Sequence, residues 1–578
     1  MIRRAAPLVV AACILLGAPS SAAGKLAPFG HPCQLENGVF FCPTSNDAQR
    51  VRTFDGVPLD VDVTVPTKGL GHPFPTIVML HGFPGTKQTF ESTTPDAGGS
   101  PSGFHYNNNY FAKQGYLVVN YSARGFGRSC GDKDSRTPPE CNRGWFHLAD
   151  QRWELRDAQV LLSKLVDEGY TDPKRIGVTG VSYGGGSSLQ LAYLKNRIRK
   201  RDGDFMPWES ASGKRLSIAA AYDRWGWDDL LYSLIPNGRA QSLDPIGVAK
   251  QSILDALYLG GTLLGYLAPK GADPSADLAT WREKVLAGEP YGADARRIAK
   301  QILKYKSAVG LSGRPAPLLI MDGWTDPAFN AIEALRPYNR IREQDDDAFV
   351  SLQLGDLGHF RAGNAFAMYR DFANDGAAFF ARYLKGGSGG PRSGSVKVYG
   401  QGCPKGTLGP GPIALSSYDE LARGSLSKQK RHATIEGTDN GSGEFFNPVA
   451  NSDPCSRTAA RKPEGSVVLE RHVPFTLAGA TRVSLDLGEV RSYGQIDARL
   501  LDVSGGQERL IDYGTYRLTP GQDGFATFRL AGNVYRFAPG HTARLELVAR
   551  NEPWFLKDDR FKVELPFVRM DIPTRERP

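Results

Sequence analysis

The residues best suited to covalent chemistry lie in Gly180-Val181-Ser182-Tyr183-Gly184. An apolar, β-branched run over residues 175–179 precedes them, and Gly185 and Gly186 extend the glycine run. From Ser187 onward the pattern is helical. Strand, G-x-S-x-G, helix is the context in which a serine hydroxyl is presented on a sharp turn as a nucleophile. The flanking glycines are needed because strand and helix nearly touch there. Ser182 is therefore the expected nucleophile. The N–H of Tyr183, directly after it, is one expected oxyanion donor.

A serine nucleophile needs a base, and a histidine base needs an acid that holds its tautomer and stabilises the imidazolium. When a G-x-S-x-G serine sits above an open α/β sheet, the chain order is serine, acid, histidine, each following a strand. Nine histidines are available. His31, His72, His81, His105 and His147 precede Ser182, and His432, His472 and His541 fall in a later, strand-rich region. His359 remains, behind Gly358 and after the apolar run 349–354. The acid should follow the preceding strand, 318–321. Asp326, on the loop, is the choice and Asp322 the runner-up; Asp356 is too close in sequence to His359 for an easy hydrogen bond.

These positions require a sheet. Residues 76–80 form a continuous apolar run, as in a buried parallel strand, and end in His81-Gly82-Phe83-Pro84-Gly85. The Phe83 N–H there is the second expected oxyanion donor. Residues 51–65 read as a hairpin around Asp55-Gly56, residues 116–121 and 216–222 as further strands, and 153–168 as an amphipathic helix. The segment Arg124-Gly125-Phe126-Gly127-Arg128-Ser129 has phosphate-loop glycine spacing, but no helix follows, so it reads as a shaped loop. Residues 238–312 are helical in pattern, with no strand expected, and would form a cap over the site. Trp225 and Trp227, in the aromatic stretch before it, are candidate substrate-binding residues. A helix over 369–384 and the linker 386–390 end the first unit. Beyond, alternation over 395–399, 466–473, 480–487, 496–503, 524–530 and 543–548 favours a β-sandwich. The expected division is a catalytic α/β domain over 24–390 and a sandwich over 391–578.

A chain of 578 residues is too long for one core. Its 41% hydrophobic and 23% charged residues are ordinary for a globular protein. The net charge of +9 is scattered, not striped, which argues against a nucleic-acid partner. Arg3 and Arg4, the short apolar run 5–16 and Ser21-Ala22-Ala23 read as a cleaved signal peptide over 1–23. Val10-Ala11-Ala12-Cys13 resembles a lipoprotein signal, but the apolar run continues past it. Export without stable membrane insertion is thus expected. Six cysteines remain, and in an exported chain they suggest disulfides. The neighbours Cys33–Cys42 and Cys130–Cys141 leave Cys403–Cys455. Their spacing is not zinc-like, and a serine mechanism calls for no metal or organic cofactor.

Together, the 180–184 motif, the 124–129 loop, Gly323-Trp324-Thr325-Asp326 and Gly358-His359 resemble the X-prolyl dipeptidyl-peptidase and cocaine-esterase-like hydrolases, from about residue 51 to the C-terminus. The resemblance implies an α/β-hydrolase domain with a helical cap and a C-terminal jelly roll. It also implies Ser182 as nucleophile, Asp326 as acid and His359 as base, which settles the choice against Asp322. In that family a tyrosine hydroxyl often supplies an oxyanion donor from the early loop; here the loop carries Phe83. The expected activity is hydrolysis of a small ester or a short peptide. An X-prolyl aminopeptidase would also need to fix a free α-amine, for which Asp228, Asp229 and Trp225 are candidates. A reading of another class is an inactive glycan- or surface-binding protein.

Overall fold

Runs such as Ile77-Val78-Met79-Leu80 and Leu318-Leu319-Ile320 can be satisfied only by strands covered on both faces. The computed structural model describes residues 26–239, 246–437, 452–555 and 560–577. The signal peptide expected over 1–23 lies outside them. An 11-stranded mixed sheet runs through the N-terminal two thirds. At its heart Leu117–Tyr121, Phe74–Leu80, Thr171–Val181, Ile218–Arg224, Leu318–Gly323 and Val350–Gly355 lie side by side, all parallel. Alternate residues of each strand feed two cores. Val78, Val178 and Ile320 face Glu154–Asp167, Tyr183–Leu194 and Ala331–Gln344. Ile77, Met79 and Met321 face Asn108–Lys113 and Phe366–Lys385.

Because these strands are parallel, their C-terminal ends share one edge. That is where an open α/β sheet gathers its chemistry. The hairpin expected over 51–65 is shorter than read: Val51–Arg52 pairs with Pro58–Leu59, and Val61–Val65 joins the large sheet. The sheet also outlasts the expected boundary at residue 390. Val396–Val398 adds in parallel to Val350–Gly355, and Ile413–Leu415 closes the edge antiparallel. The segment read as the first sandwich strand thus buries Val396 and Val398 against the N-terminal unit's sheet.

Helices Gln251–Leu263, Leu278–Leu286 and Ala293–Tyr305 form the cap over the sheet edge. Part of the expected cap, residues 240–245, lies outside the described residues. The cap does contain a short strand, Ala249–Lys250, which the helical reading missed. Its partner, Trp554–Phe555, comes from the C-terminal unit. That unit is strand-rich: a six-stranded and a five-stranded sheet bury Leu485 and Val568 from one and Ile496 and Leu545 from the other in a common core. It is fastened to the cap region through Arg517, whose guanidinium donates to the Ile246 carbonyl at 2.6 Å.

Disulfides join Cys33–Cys42, Cys130–Cys141 and Cys403–Cys455. Three such bonds fit an oxidising, extracytoplasmic setting. No helix among the described residues is long and apolar enough to cross a membrane.

Candidate active site

The elbow begins with a close approach. Thr171–Val181 runs into Tyr183–Leu194 with one residue, Ser182, between them. The helix starts at once, not at Ser187 as the sequence suggested. A Cβ on Gly184 would lie 1.9 Å from the Leu80 carbonyl oxygen, so only glycine allows the helix to leave this way. Ser182 itself takes φ 55°, ψ −115°. A non-glycine residue in this region costs about 1–3 kcal/mol, which the surrounding packing must hold. Its N–H donates to the Arg224 carbonyl at 3.0 Å.

Three parallel strand ends bring the remaining chemistry to this point. His359, four residues beyond Val350–Gly355, places Nε2 2.7 Å from Ser182 Oγ. Its Nδ1 lies 2.6 Å from Asp326 Oδ2, so the Nδ1–H tautomer donates to the carboxylate. Asp326 Oδ2 also accepts the His359 backbone N–H at 3.0 Å. Asp326 Oδ1 accepts the N–H groups of Ala328 at 2.8 Å and Phe329 at 3.1 Å. The buried carboxylate is thus fully hydrogen-bonded, as a buried charge requires. Gly358 has φ +123°, and a Cβ there would lie 2.1 Å from Asp326 Oδ2. The glycine before the histidine is the space into which the acid fits.

Asp322, the runner-up acid, does not reach His359. It is buried at its strand end and accepts the Gly323 N–H. Burial, then repulsion from Asp326, pushes its carboxyl well above the usual range. Asp356 instead ties loops together, accepting the Gly363 N–H at 2.8 Å.

The loop after Phe74–Leu80 runs beside Ser182: a Cβ on Gly82 would lie 3.4 Å from Ser182 Cβ. Phe83 and Tyr183 therefore flank Ser182. As the first helical residue, Tyr183 has an N–H with no intrahelical acceptor. His81, set aside on chain order, pins this loop. Its Nδ1–H donates to the Gly82 carbonyl at 2.8 Å, and its Nε2 accepts the Ala123 N–H at 3.0 Å. Burial lowers its pKa to about 4. Since the unfolded chain then binds the extra proton between about pH 6.5 and 4, folding stability falls as pH drops through that window, by at most about 3 kcal/mol. Urea unfolding at pH 7 and pH 4 should show this loss. His81→Phe should be less stable at pH 7 but lose less on acidification; an unchanged pH dependence in the variant would reject the assignment.

The Arg124–Ser129 loop buttresses the site. Arg124 is fully buried. Its Nε and Nη2 grip Asp157 at 2.7 and 2.6 Å, and Nη1 reaches Asp55 at 3.0 Å. Phe126 is thereby driven beneath Phe146 and Tyr183, at centroid distances of 5.0 and 5.3 Å.

Above Ser182 and His359 lies a cavity of about 570 Å³. Trp227 lines it, with its Nε1–H on the Lys306 carbonyl at 2.8 Å. Trp225 does not: it sinks into the opposite core layer against Tyr369. The reason is local: its N–H bonds the Met321 carbonyl, turning the ring under the sheet. Asp228 and Asp229 are likewise not in the cavity wall. Both oxygens of Asp228 engage Arg340 at 2.7 Å, and Asp229 caps the helix Leu230–Leu234. The suggested amine cage does not assemble.

One residue escaped the sequence reading altogether. Buried Lys250, on the short cap strand, donates from Nζ to the carbonyls of Pro327 at 2.8 Å and Ala328 at 3.0 Å. These directly follow Asp326. Burial lowers its pKa to about 8, opposed by the carboxylates of Asp326, Glu333 and Asp322. A lysine after Gly-Val-Ala carries no local signal of such a role.

Comparison with solved structures finds this architecture elsewhere. A CocE/NonD family hydrolase from Staphylococcus aureus superposes with a TM-score of 0.57 at 12% identity, covering 93% of this chain and 94% of that one. An alpha-amino acid ester hydrolase gives 0.55 at 15%, with 97% and 99% covered. An aminopeptidase from a marine sediment Thaumarchaeota archaeon gives 0.51 at 14%, with 91% and 96% covered. At these identities the likeness is one of fold. Comparison with curated proteins returned no match. The sequence model of the X-Pro dipeptidyl-peptidase (S15) family, however, matches residues 55–361, more than half of the chain and the whole span from Asp55 to His359. The chain belongs to this family and is a hydrolytic enzyme of the serine type.

Proposed function

We propose that the protein is an esterase acting through a Ser182–His359–Asp326 triad. The observation that carries this is the unbroken hydrogen-bond chain from Ser182 Oγ through His359 to Asp326. His359 Nε2 takes the hydroxyl proton as Ser182 Oγ attacks the ester carbonyl. The N–H groups of Tyr183 and Phe83 receive the developing oxyanion, with no phenol contributed by Phe83. Collapse expels the alcohol, which takes the proton from His359. Water, deprotonated by the same imidazole, then releases the acid from the acyl-enzyme. Asp326 holds the Nδ1–H tautomer throughout, and Lys250 holds the loop that carries Asp326.

The ester reading is favoured over a free-amine peptidase by charge. Among the described residues lining the cavity there is no carboxylate, and Arg282 is a permanent cation. An ammonium group would be desolvated beside the Arg282–Asp255 pair with no lining carboxylate to receive it. An X-prolyl dipeptidyl aminopeptidase is the second reading, favoured by the family match itself. The test is p-nitroaniline release from Ala-Pro-p-nitroanilide, with and without an N-acyl block, beside p-nitrophenyl butyrate. Ester turnover with little peptide cleavage is expected. Strong cleavage of only the free-amine peptide would establish the second reading instead. The three disulfides and the N-terminal sequence support action outside the cytoplasm after export. We read the C-terminal unit as the family's jelly roll, following a catalytic domain with its helical cap.

A further inference from the structure

The cavity's wall is unusual in how completely it avoids polarity away from the reacting atoms. Its floor is Ser182, His359 and Phe83. Its roof comes from the three cap helices, through Ile253 and Leu257, then Trp281 and Val285, then Ile298 and Ile302. The one permanent charge among the described lining residues, Arg282, is already paired with Asp255 and stacks over the Tyr258 ring. The Trp227 indole N–H is spent on the Lys306 carbonyl. A polar substrate arm entering here would lose its hydration and find little to replace it beyond the Tyr258 hydroxyl and the remaining Arg282 N–H groups. An apolar arm would gain transfer free energy with every methylene buried. Rooms lined by leucine, isoleucine and aromatic rings stay dry and take apolar guests. A volume near 570 Å³ falls in the range that encloses a whole small ligand, well beyond an acetyl group.

We infer that the substrate is an uncharged lipophilic ester, one of whose two chains, acyl or alkoxy, extends several carbons into this cavity. The inference rests on the reading of Ser182 as the nucleophile, and the two can fail separately. Wild-type protein is first labelled with a small fluorophosphonate and the modified residue found by mass spectrometry. Turnover is then measured for p-nitrophenyl esters from acetate to decanoate and for alkyl acetates from methyl to octyl. In at least one series kcat/KM should rise about fourfold per added methylene until the cavity is filled. Val285→Trp, which fills the roof, should move the optimum to a shorter chain. A flat or falling profile in both series, in protein labelled at Ser182, overturns the inference while leaving the nucleophile in place. No labelling at Ser182 overturns the nucleophile reading and the inference with it. The wild-type series decides the matter even where the Val285→Trp protein does not fold.

Discussion

Ser182→Ala should lower ester turnover by about 10⁴-fold or more, because attack, proton transfer and acyl-enzyme formation all pass through that hydroxyl. Asp326→Asn should cost about 10⁴-fold for a different reason. The amide can offer an N–H where the carboxylate accepts one, which favours the wrong tautomer of His359. The double variant should be little worse than Ser182→Ala, since residues acting as a unit are not additive. Substrate affinity should largely survive in all three, because the apolar roof of the cavity is untouched and only its floor changes. Steady-state kinetics with a chromogenic ester, beside ligand-protected melting, separate the two effects. A Ser182→Ala protein retaining a tenth of its activity would remove the triad from the mechanism.

Arg124→Met should destabilise the fold by about 3–5 kcal/mol, the usual consequence of leaving a buried carboxylate without its partner. Two carboxylates are affected: Asp157, which receives two charge-assisted bonds, and Asp55, which receives two more. The side chain also sits against the rings of Phe54 and Trp153, each 5.2 Å away, so packing is lost with the charge. Arg124→Lys should recover only part of the loss, since a lysine cannot bridge both acids in the fork geometry that Arg124 uses. Chemical unfolding of the three proteins tests this. A cost below about 1 kcal/mol for Arg124→Met would mean that the pocket is wetter than its geometry indicates.

The central strands were readable because each is buried on both faces and spells out an apolar run. The elbow was readable because its glycines answer a steric demand that nothing else meets. Chain order pointed to His359, while the choice of Asp326 over Asp322 rested on the family resemblance. What escaped notice did so for physical reasons. Gly424–Glu436 carries the polar run Ser427-Lys428-Gln429-Lys430-Arg431-His432, yet pairs along its length with Lys562–Thr574, because backbone bonds on a half-exposed sheet ask little of side chains. Gln507–Leu518 is almost wholly buried although it carries Asp512, Thr515 and Arg517. Arg517 spends its polarity on the hydrolytic unit, so no alternation survives. Trp225 and Trp227 are two residues apart and chemically alike, and only the path of the backbone sends one into the core and the other into the cavity. Lys250 was invisible because its partners are carbonyls 77 and 78 residues away.

The pairing of Ala249–Lys250 with Trp554–Phe555 has a consequence for when this enzyme becomes active. The three residues of the proposed triad have all been synthesised by residue 359. The two-residue ladder that seats Lys250 over the acid's loop is completed only after nearly two hundred further residues. A growing chain therefore holds all three reactive side chains well before it holds the brace beneath one of them. A chain ending before Trp554 should therefore keep Ser182, Asp326 and His359 but lack the ladder that seats Lys250, and should turn over ester more slowly than the full chain.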